Sequence, residues 1–433
     1  MDSRSDLIVV SAFGRGNWLA ANLARQGLSA TLVDVSDALG HWAPEDWEGP
    51  FGIFQADWIR DSQNTRLNEE DYTDIESDGF VLWLNDGVLD TGGPVSSHRL
   101  EKRGVTEEQK SYVANFHSMK PDELNKLRKS FYGAEFKKNW FLHFSHSLAA
   151  NSFSENSNAM DRGRPLPMFA PHGVRRVSRR GYDQNLKWVE SWGAKVLKAN
   201  KIKDLSSNSG FIQSLEIESD WSGVLSAEQY VWCLSGIESL HLSASVANTL
   251  YPQVIWPSWQ WQRFRFKFEG ADVWKSLPSH LVAIEDLGLP WTHENMMVLQ
   301  KSVNDEDFDV WMRLPHSQRF HREYIQEKSR AAIQLLEARL PGVRVQLQNL
   351  PQEFEYDEKD LGPARFPLFD TTQVSKYKTG SWINLHYDGP EIWELLDWSS
   401  IFLNQSKIAD EIMGWKKDRD DRRAKEEMRS EKE

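Results

Sequence analysis

The feature that most constrains the fold is a short unit near the start of the chain, in which two apolar segments flank a glycine-bearing turn and a helix. Leu7–Val10 is apolar without interruption, which is typical of a strand buried on both faces of a sheet. Apolar residues recur at helical spacing over Trp18–Ala24, and Gly27 lies where that helix should end. A second apolar strand, Ala30–Val33, leads to Asp34. The pattern predicts a β–turn–α–β unit and therefore a parallel sheet.

The composition is that of a soluble globular protein and excludes several function classes. The 433 residues include 40% apolar residues and carry a net charge of −13, so we expect a large core and no whole-protein electrostatic attraction to nucleic acid. No apolar run approaches the roughly 20 residues of a membrane helix, so we expect no membrane insertion. The single cysteine, Cys233, excludes an intrachain disulfide and a thiolate metal cluster, and it fits a cytoplasmic location. We expect no metal site.

A dinucleotide-binding turn carries three glycines, and their positions in this sequence would be 11, 13 and 16. The first glycine allows a tight turn, the second lets the backbone approach a pyrophosphate, and the third permits helix–strand packing. This sequence has Ser11, Phe13 and Gly16 there, so only the packing glycine is present. Gly14 could serve in a shifted register, which we do not favour. Asp34 lies where an acidic side chain would hold ribose hydroxyls, although it could equally be a solvated loop acid.

The order of elements over about residues 6–414 resembles that of the flavin amine oxidase and phytoene desaturase superfamily. Val9–Trp42 resembles the opening of those enzymes, and Pro171–Val174 resembles their Pro-x-Gly-Gly-Met element. Lys195–Leu205 resembles a strand whose side chains face the adenine, with Ile202 in one of those places, and Asn384–Gly389 resembles the closing Gly-Asp motif. The resemblance implies an α/β fold with a Rossmann-like FAD/NAD(P)-binding domain and a second, substrate-type lobe of mixed sheet and helix.

Most departures from the family pattern are of one kind: a larger residue takes the place of a glycine that lies near the cofactor in the family. The replaced positions are Ser11, Phe13, His41, His172 and Tyr387, and Trp42 replaces the flavin-contacting arginine. A side chain at such a position would collide with the cofactor or strain a tight turn. We therefore expect that Phe13, Trp42 and His172 fill the site and that no cofactor is bound.

The alternative is that FAD is still bound despite these replacements. The cofactor-binding residues implied by the resemblance are then Gly14, Gly16, Asp34, Gly40, Ile202 and Asp388. Asp388 also has a simpler interpretation, which is a turn aspartate before Gly389.

The element order and the resemblance divide the chain into a discontinuous nucleotide-binding-type domain, a substrate-type lobe and a tail. The first comprises residues 1–80, 165–255 and 350–414, and the second comprises residues 81–164 and 256–349. Residues 415–433 are mostly charged, so we interpret them as a solvated or frayed helical tail without chemistry.

An arginine cluster is the strongest local concentration of charge, and it lies at a predicted helix start. Its members are Arg175, Arg176, Arg179 and Arg180. Guanidinium groups suit bidentate recognition of carboxylate or phosphate, so the cluster is a candidate surface for a protein partner or for self-association. A solvated helix face is the alternative.

Two functions follow from these patterns. The first is a non-catalytic protein of the flavin-oxidoreductase fold that acts by binding a partner or ligand. The second is an atypical FAD-dependent oxidoreductase of the amine oxidase or desaturase type. We favour the first, because the missing glycines are those that make phosphate contact. Residue spacing identifies no catalytic residue.

Overall fold

The computed structural model describes the two sheet-forming parts of the chain together with the helices that pack on them. The described residues are 5–39, 72–74, 81–84, 87–90, 175–177, 186–219, 222–251, 259–272, 277, 280–285, 295–301, 307–318, 321–349, 382–389, 391–392 and 398–430. Within these ranges the strands form four sheets. None of the described helices is both long and apolar enough to span a membrane.

The elements are numbered in chain order. The strands are β1 Ser5–Ser11, β2 Ala30–Asp34, β3 Tyr72–Asp74, β4 Val81–Leu84, β5 Gly87–Asp90, β6 Arg175–Val177, β7 Lys195–Lys198, β8 Lys201–Asn208, β9 Phe211–Glu218, β10 Ser222–Leu225, β11 Ala227–Trp232, β12 Trp259–Gly270, β13 His280–Ile284, β14 Met296–Lys301, β15 Asp307–Pro315, β16 Val343–Asn349 and β17 Leu385–Tyr387. The helices are α1 Asn17–Arg25, α2 Gly236–Leu242, α3 Ala244–Leu250, α4 Arg322–Arg339 and α5 Trp398–Ser430.

The first sheet is parallel, with the strand order β17-β11-β1-β2-β7. Both of its faces are covered, which is why β1 is apolar at every position from Leu7 to Val10. Leu7 and Val9 belong to a core cluster with the apolar side of α1 and with Ile412 of α5. Ile8 and Val10 point the other way, into a cluster that includes residues of β8 and β9. The predicted β–turn–α–β unit is therefore confirmed.

Strands β8, β9 and β10 form a small antiparallel sheet against the second face of the parallel sheet. Its buried side chains alternate along each strand, and Ile202 and Leu215 lie in the shared core cluster. The turn between β8 and β9 contains two residues with positive φ, Ser209 and Gly210, which is typical of a tight hairpin turn. This sheet closes the core beneath the nucleotide-binding-type unit.

The second lobe is a seven-stranded sheet in the order β16-β12-β15-β14-β13-β4-β5, packed on α4. It is antiparallel except for the pairing of β13 with β4. Phe264, Phe266 and Phe268 alternate with charged residues and are buried in one cluster with Leu336 of α4. The fold class is therefore α/β with a second lobe of mixed sheet and helix, as expected.

Two segments differ from the prediction. Arg175 and Arg176 lie on β6, which pairs with β3, so they belong to a strand and not to the start of a helix. Helix α5 continues to Ser430, through most of the segment expected to be a solvated or frayed tail, and Lys416 donates a hydrogen bond to the carbonyl of Gln26 at 2.9 Å. The beginning of the charged tail is therefore docked on α1, while residues 420–430 are exposed. The domain boundaries themselves stay a prediction.

Candidate cofactor site

The carboxyl ends of β2, β1, β11 and β17 meet at one edge of the parallel sheet. In open sheets of this kind, ligands bind in the crevice outside these strand ends. The loop at residues 12–16 follows β1 there, Asp34 ends β2, and Asp388 follows β17. The topology thus gathers at one edge several residues that are far apart in sequence.

Gly16 allows the start of α1 to lie directly against β1. A Cβ atom at this position would lie 2.6 Å from Val9 Cγ1 and 3.0 Å from Ser11 Cβ. The N–H of Gly16 donates to Ser11 Oγ at 2.8 Å, so the serine that replaces the first glycine ties the turn to the helix start. Gly14, the other glycine of the loop, has φ of 76°.

Phe13 is a buried residue in a backbone conformation that favours glycine. Its φ is 57°, and its side chain is 2% exposed in the core cluster that contains Ile8 and Val33. Its N–H donates to Ser36 Oγ at 2.7 Å. The ring therefore packs under the loop, and its backbone donor is used within the protein. That Phe13 takes the place of part of a dinucleotide stays a prediction.

Asp34 lies at the end of β2, where an acid that holds ribose hydroxyls is expected, and it is buried. Its Oδ1 accepts hydrogen bonds from Ser36 Oγ at 2.5 Å and from Ser36 N at 3.2 Å. A chain of contacts therefore runs from the Phe13 amide through the Ser36 hydroxyl to the Asp34 carboxylate. These contacts join the loop after β1 to the carboxylate at the end of β2.

Asn17 is a candidate site residue that spacing alone did not single out. It is the first residue of α1 and is 1% exposed, and its Nδ2 has no hydrogen-bond partner among the described residues. A buried donor without a partner costs free energy, and a helix N-terminus favours negative charge. Asn17 is therefore suited to donate to an anionic group at the sheet edge.

Arg15 ties the loop after β1 to α2. Its Nη1 lies 2.7 Å from Glu238 Oε2, and both side chains are almost completely buried. Glu238 also forms a capping box with Ser235, since each residue's side chain accepts from the other's backbone N–H. The Ser-x-x-Glu spacing is a sequence signal for a helix start, and it could have predicted α2.

Glu391 joins the segment after β17 to the same place. It is 3% exposed, and one carboxylate oxygen accepts from the backbone N–H of Gly236. Burial raises the pKa of Glu391 to about 8, and the negative charge of Glu238 adds to this, whereas two backbone hydrogen bonds and Arg15 act in the opposite direction. The surroundings of Glu391 thus favour the protonated form of its carboxyl group.

Asp388 is fully buried and braces the end of β17. Its two carboxylate oxygens accept from Asn404 Nδ2 and Gln405 Nε2, each at 2.6 Å, and Gln405 also donates to the carbonyl of Arg15. The carboxylate therefore connects β17, α5 and the loop after β1. Its contact with a cofactor stays a prediction.

The other residues predicted from the sequence either lie in the core or fall outside the described residues. Ile202 is buried in the core cluster of the small sheet, and its contact with an adenine is untested. Gly40, Trp42, His172, Arg179 and Arg180 lie outside the described residues. Burial raises the pKa of the Cys233 thiol, in agreement with an inert packing role. Among the residues that the structure describes, no group of three or more His, Cys, Asp or Glu side chains could hold a metal ion.

Solved structures share this architecture at low sequence identity. An oxidoreductase from Methanosarcina mazei is 12% identical, with a TM-score of 0.53, over 93% of this chain and 99% of that chain. A putrescine oxidase studied for redesign of its cofactor binding is 11% identical, with a TM-score of 0.46, over 95% and 99%. A myxobacterial chondrochloren halogenase, one of the FAD-dependent halogenases, is 10% identical, with a TM-score of 0.37, over 79% and 63%.

No protein-family model and no curated protein sequence matches the chain. The structural comparisons correct one expectation, which is that the protein binds no cofactor. The solved structure with a TM-score above 0.5 is that of an oxidoreductase, so the shared fold does not support the absence of a cofactor. The chain shares the fold of the Methanosarcina mazei oxidoreductase, in agreement with the α/β fold that the sequence resemblance implies.

Proposed function

We propose that this chain is an FAD-dependent oxidoreductase that holds its cofactor at the carboxyl edge of the parallel sheet. The observation that carries the proposal is the geometry of a dinucleotide-type unit: a parallel strand, a turn with Gly16 packed against that strand, a helix N-terminus and Asp34 at the next strand end. Bound FAD would supply the capacity to accept and donate a hydride equivalent. No catalytic residue is assigned.

The residues present are compatible with the anionic part of FAD. Asn17 Nδ2 is a buried donor with no partner among the described residues, and it lies at the first position of α1. A diphosphate oxygen would satisfy this donor, and the helix dipole would add to the attraction. Asp34 lies at the strand end where it would accept from ribose hydroxyls, provided that it retains or exchanges its contact with Ser36.

The loop after β1 differs from the usual glycine-rich turn in the hydrogen bonds that its backbone N–H groups make. The N–H groups of Phe13 and Gly16 donate to Ser36 and Ser11, so protein hydroxyls already satisfy these two donors. We infer that phosphate binding depends more on Asn17 and the start of α1 than on these two amides. The positioning contacts from Arg15 to Glu238 and from Gln405 to the Arg15 carbonyl then hold the loop in place.

The test is a titration of flavin-free protein with FAD, followed by calorimetry and by urea unfolding. FAD at 100 times its dissociation constant should add about 2.7 kcal/mol to the free energy of unfolding. Absence of heat and of stabilisation at millimolar FAD would count against the proposal.

A matched pair of variants tests where FAD binds. Asn17→Asp keeps the size of the side chain but replaces the donor by a negative charge, and we expect FAD affinity to fall at least about tenfold, since a hydrogen bond to a charged group contributes ~1.5–3 kcal/mol. Asn22→Asp makes the same change on the same helix, on a partly exposed side chain, and should leave the affinity unchanged. Equal affinities for both variants would exclude Asn17 as a phosphate donor.

A non-catalytic protein that acts by binding a partner is the second candidate. The observation that favours it is Phe13, whose ring and backbone N–H are both committed to contacts within the protein. A bound flavin that dithionite reduces, but that stays oxidised with every amine donor tested, would support this candidate. The partner-binding role of Arg175 and Arg176 and the cytoplasmic location both stay predictions.

A further inference from the structure

Three buried charged residues from three separate segments meet beside the candidate cofactor site. Arg15 belongs to the loop after β1, Glu238 to the first turn of α2, and Glu391 to the segment after β17. Their side chains are 3%, 0% and 3% exposed. Together they connect the loop that precedes α1 to the ends of β11 and β17.

The cluster contains two carboxyl groups and one guanidinium group. Arg15 Nη1 pairs with Glu238 Oε2 at 2.7 Å, while Glu391 accepts from the N–H of Gly236. The charged groups that act on Glu391 are Glu238 of α2, which disfavours its ionisation, and Arg15 of the loop, which favours it. Glu238 and Glu391 accept from the consecutive backbone N–H groups of Ser235 and Gly236, so the two buried carboxyl groups lie close together. Two negative charges so placed repel each other, which favours a proton on the carboxyl that is not paired with Arg15 in a salt bridge.

Packing leaves Glu391 little room to move or to admit water. A Cβ atom on Gly389 would lie 2.7 Å from Glu391 Oε2 and 2.5 Å from the carbonyl oxygen of Leu234. The glycine of the closing motif therefore makes space for this carboxyl group. An ionised Glu391 would stay close to Glu238 in a place of low dielectric, where repulsion between the two is strong.

We propose that Glu391 is a proton-dependent positioning residue, which holds the Arg15 loop in its ligand-binding position when its carboxyl is protonated and loosens it when the carboxyl ionises. The physical step is the displacement of the Arg15–Glu238 pair by a second negative charge. The inference rests on the proposed function only for the identity of the ligand, which is FAD.

The sign of the pH dependence follows from the direction of the shift. The pKa of Glu391 is raised from 4.5 to about 8, so its contribution to stability is fully present below pH 4.5 and is lost as the pH rises through about 8. His386 acts oppositely, because burial lowers its pKa from 6.5, so its contribution is lost as the pH falls. Cys233 has a raised pKa and acts only above its ordinary value of 9.0. Of these three described groups, Glu391 is the one whose shift spans the window from about pH 6.5 to 8.5.

The experiment measures the free energy of unfolding of the flavin-free protein across this window. The wild-type unfolding equilibrium should shift toward the unfolded state by up to about tenfold per pH unit, since one proton is released on unfolding. Glu391→Gln mimics the protonated carboxyl and should remove this slope. Glu426→Gln makes the same change on the exposed end of α5 and should keep it. A Glu391→Gln protein with the wild-type slope overturns the proposal.

Two further measurements complete the test. If Glu391→Gln does not fold, the infrared carbonyl band of a protonated carboxyl is followed in the wild type, and a band lost as the pH passes about 8 supports the proposal, while its absence at pH 7 overturns it. In the FAD arm, the affinity of the wild type should fall by up to about tenfold per pH unit above pH 8, and that of Glu391→Gln should not. A pH-independent wild-type affinity overturns the positioning role.

Failure of FAD to bind at any pH contradicts the proposed function. In that case the unfolding measurements on the flavin-free protein still decide whether Glu391 titrates as stated.

Discussion

At the scale of single residues, Phe13 shows how the loop after β1 differs from a dinucleotide-binding turn, which has glycine at this position. A phenylalanine at positive φ is strained, because its Cβ crowds the backbone where glycine would not. Burial of the ring among Ile8 and Val33 compensates for that strain. The position of Phe13 in the loop was evident from the sequence. The direction of its ring was not, because it depends on packing between strands distant in sequence.

Phe13→Ala should lower the free energy of unfolding by about 3–5 kcal/mol, as expected for truncation of a buried aromatic side chain. Phe211→Ala is the matched control, because Phe211 is 39% exposed and its truncation should cost less than about 1 kcal/mol. Urea unfolding of both variants is the measurement. A cost for Phe13→Ala as small as that for Phe211→Ala would show that the ring does not contribute to the core.

At the scale of elements, strongly patterned segments were predictable and tertiary contacts were not. The uninterrupted apolar run of β1 and the alternation of β12 each specify a strand and its burial. Helix α2 was missed, although its Ser235–Glu238 capping box is a local signal. Glu391 carries no signal at all, because its role comes from residues more than 150 positions away in the chain.

Helix α5 gives an element-scale prediction about the charged tail. Arg419 is 12% exposed and donates to Asp6, whereas Arg423 is 60% exposed and lies 3.6 Å from Glu228. Arg419→Ala should therefore destabilise the protein by about 1–2 kcal/mol, and Arg423→Ala by less than about 1 kcal/mol. The comparison uses urea unfolding at low salt. Equal, negligible effects would restore the interpretation of this segment as fully solvated.

At the scale of the whole molecule, the resemblance implied both the fold and the place of the cofactor, while the lost glycines suggested that no cofactor binds. The fold shared with an oxidoreductase does not support the second conclusion, which is therefore corrected. The number of glycines describes only the turn of a dinucleotide-binding site. The tertiary structure contributes the other parts. These are the buried Asn17 at the start of α1, the Arg15–Glu238 ion pair and the hydrogen bond from Gln405 to Asp388. A sequence motif is therefore a weaker guide to cofactor binding than the strand ends that carry it.

The central claim is that this chain binds FAD at the carboxyl edge of its parallel sheet. The most direct measurement is the flavin content of the protein purified after expression with added riboflavin, released by denaturation and quantified by chromatography. The account predicts one FAD for each chain, with the content strongly reduced in Asn17→Asp and retained in Asn22→Asp. A protein that is folded, contains no flavin and takes up none when incubated with excess FAD would contradict it.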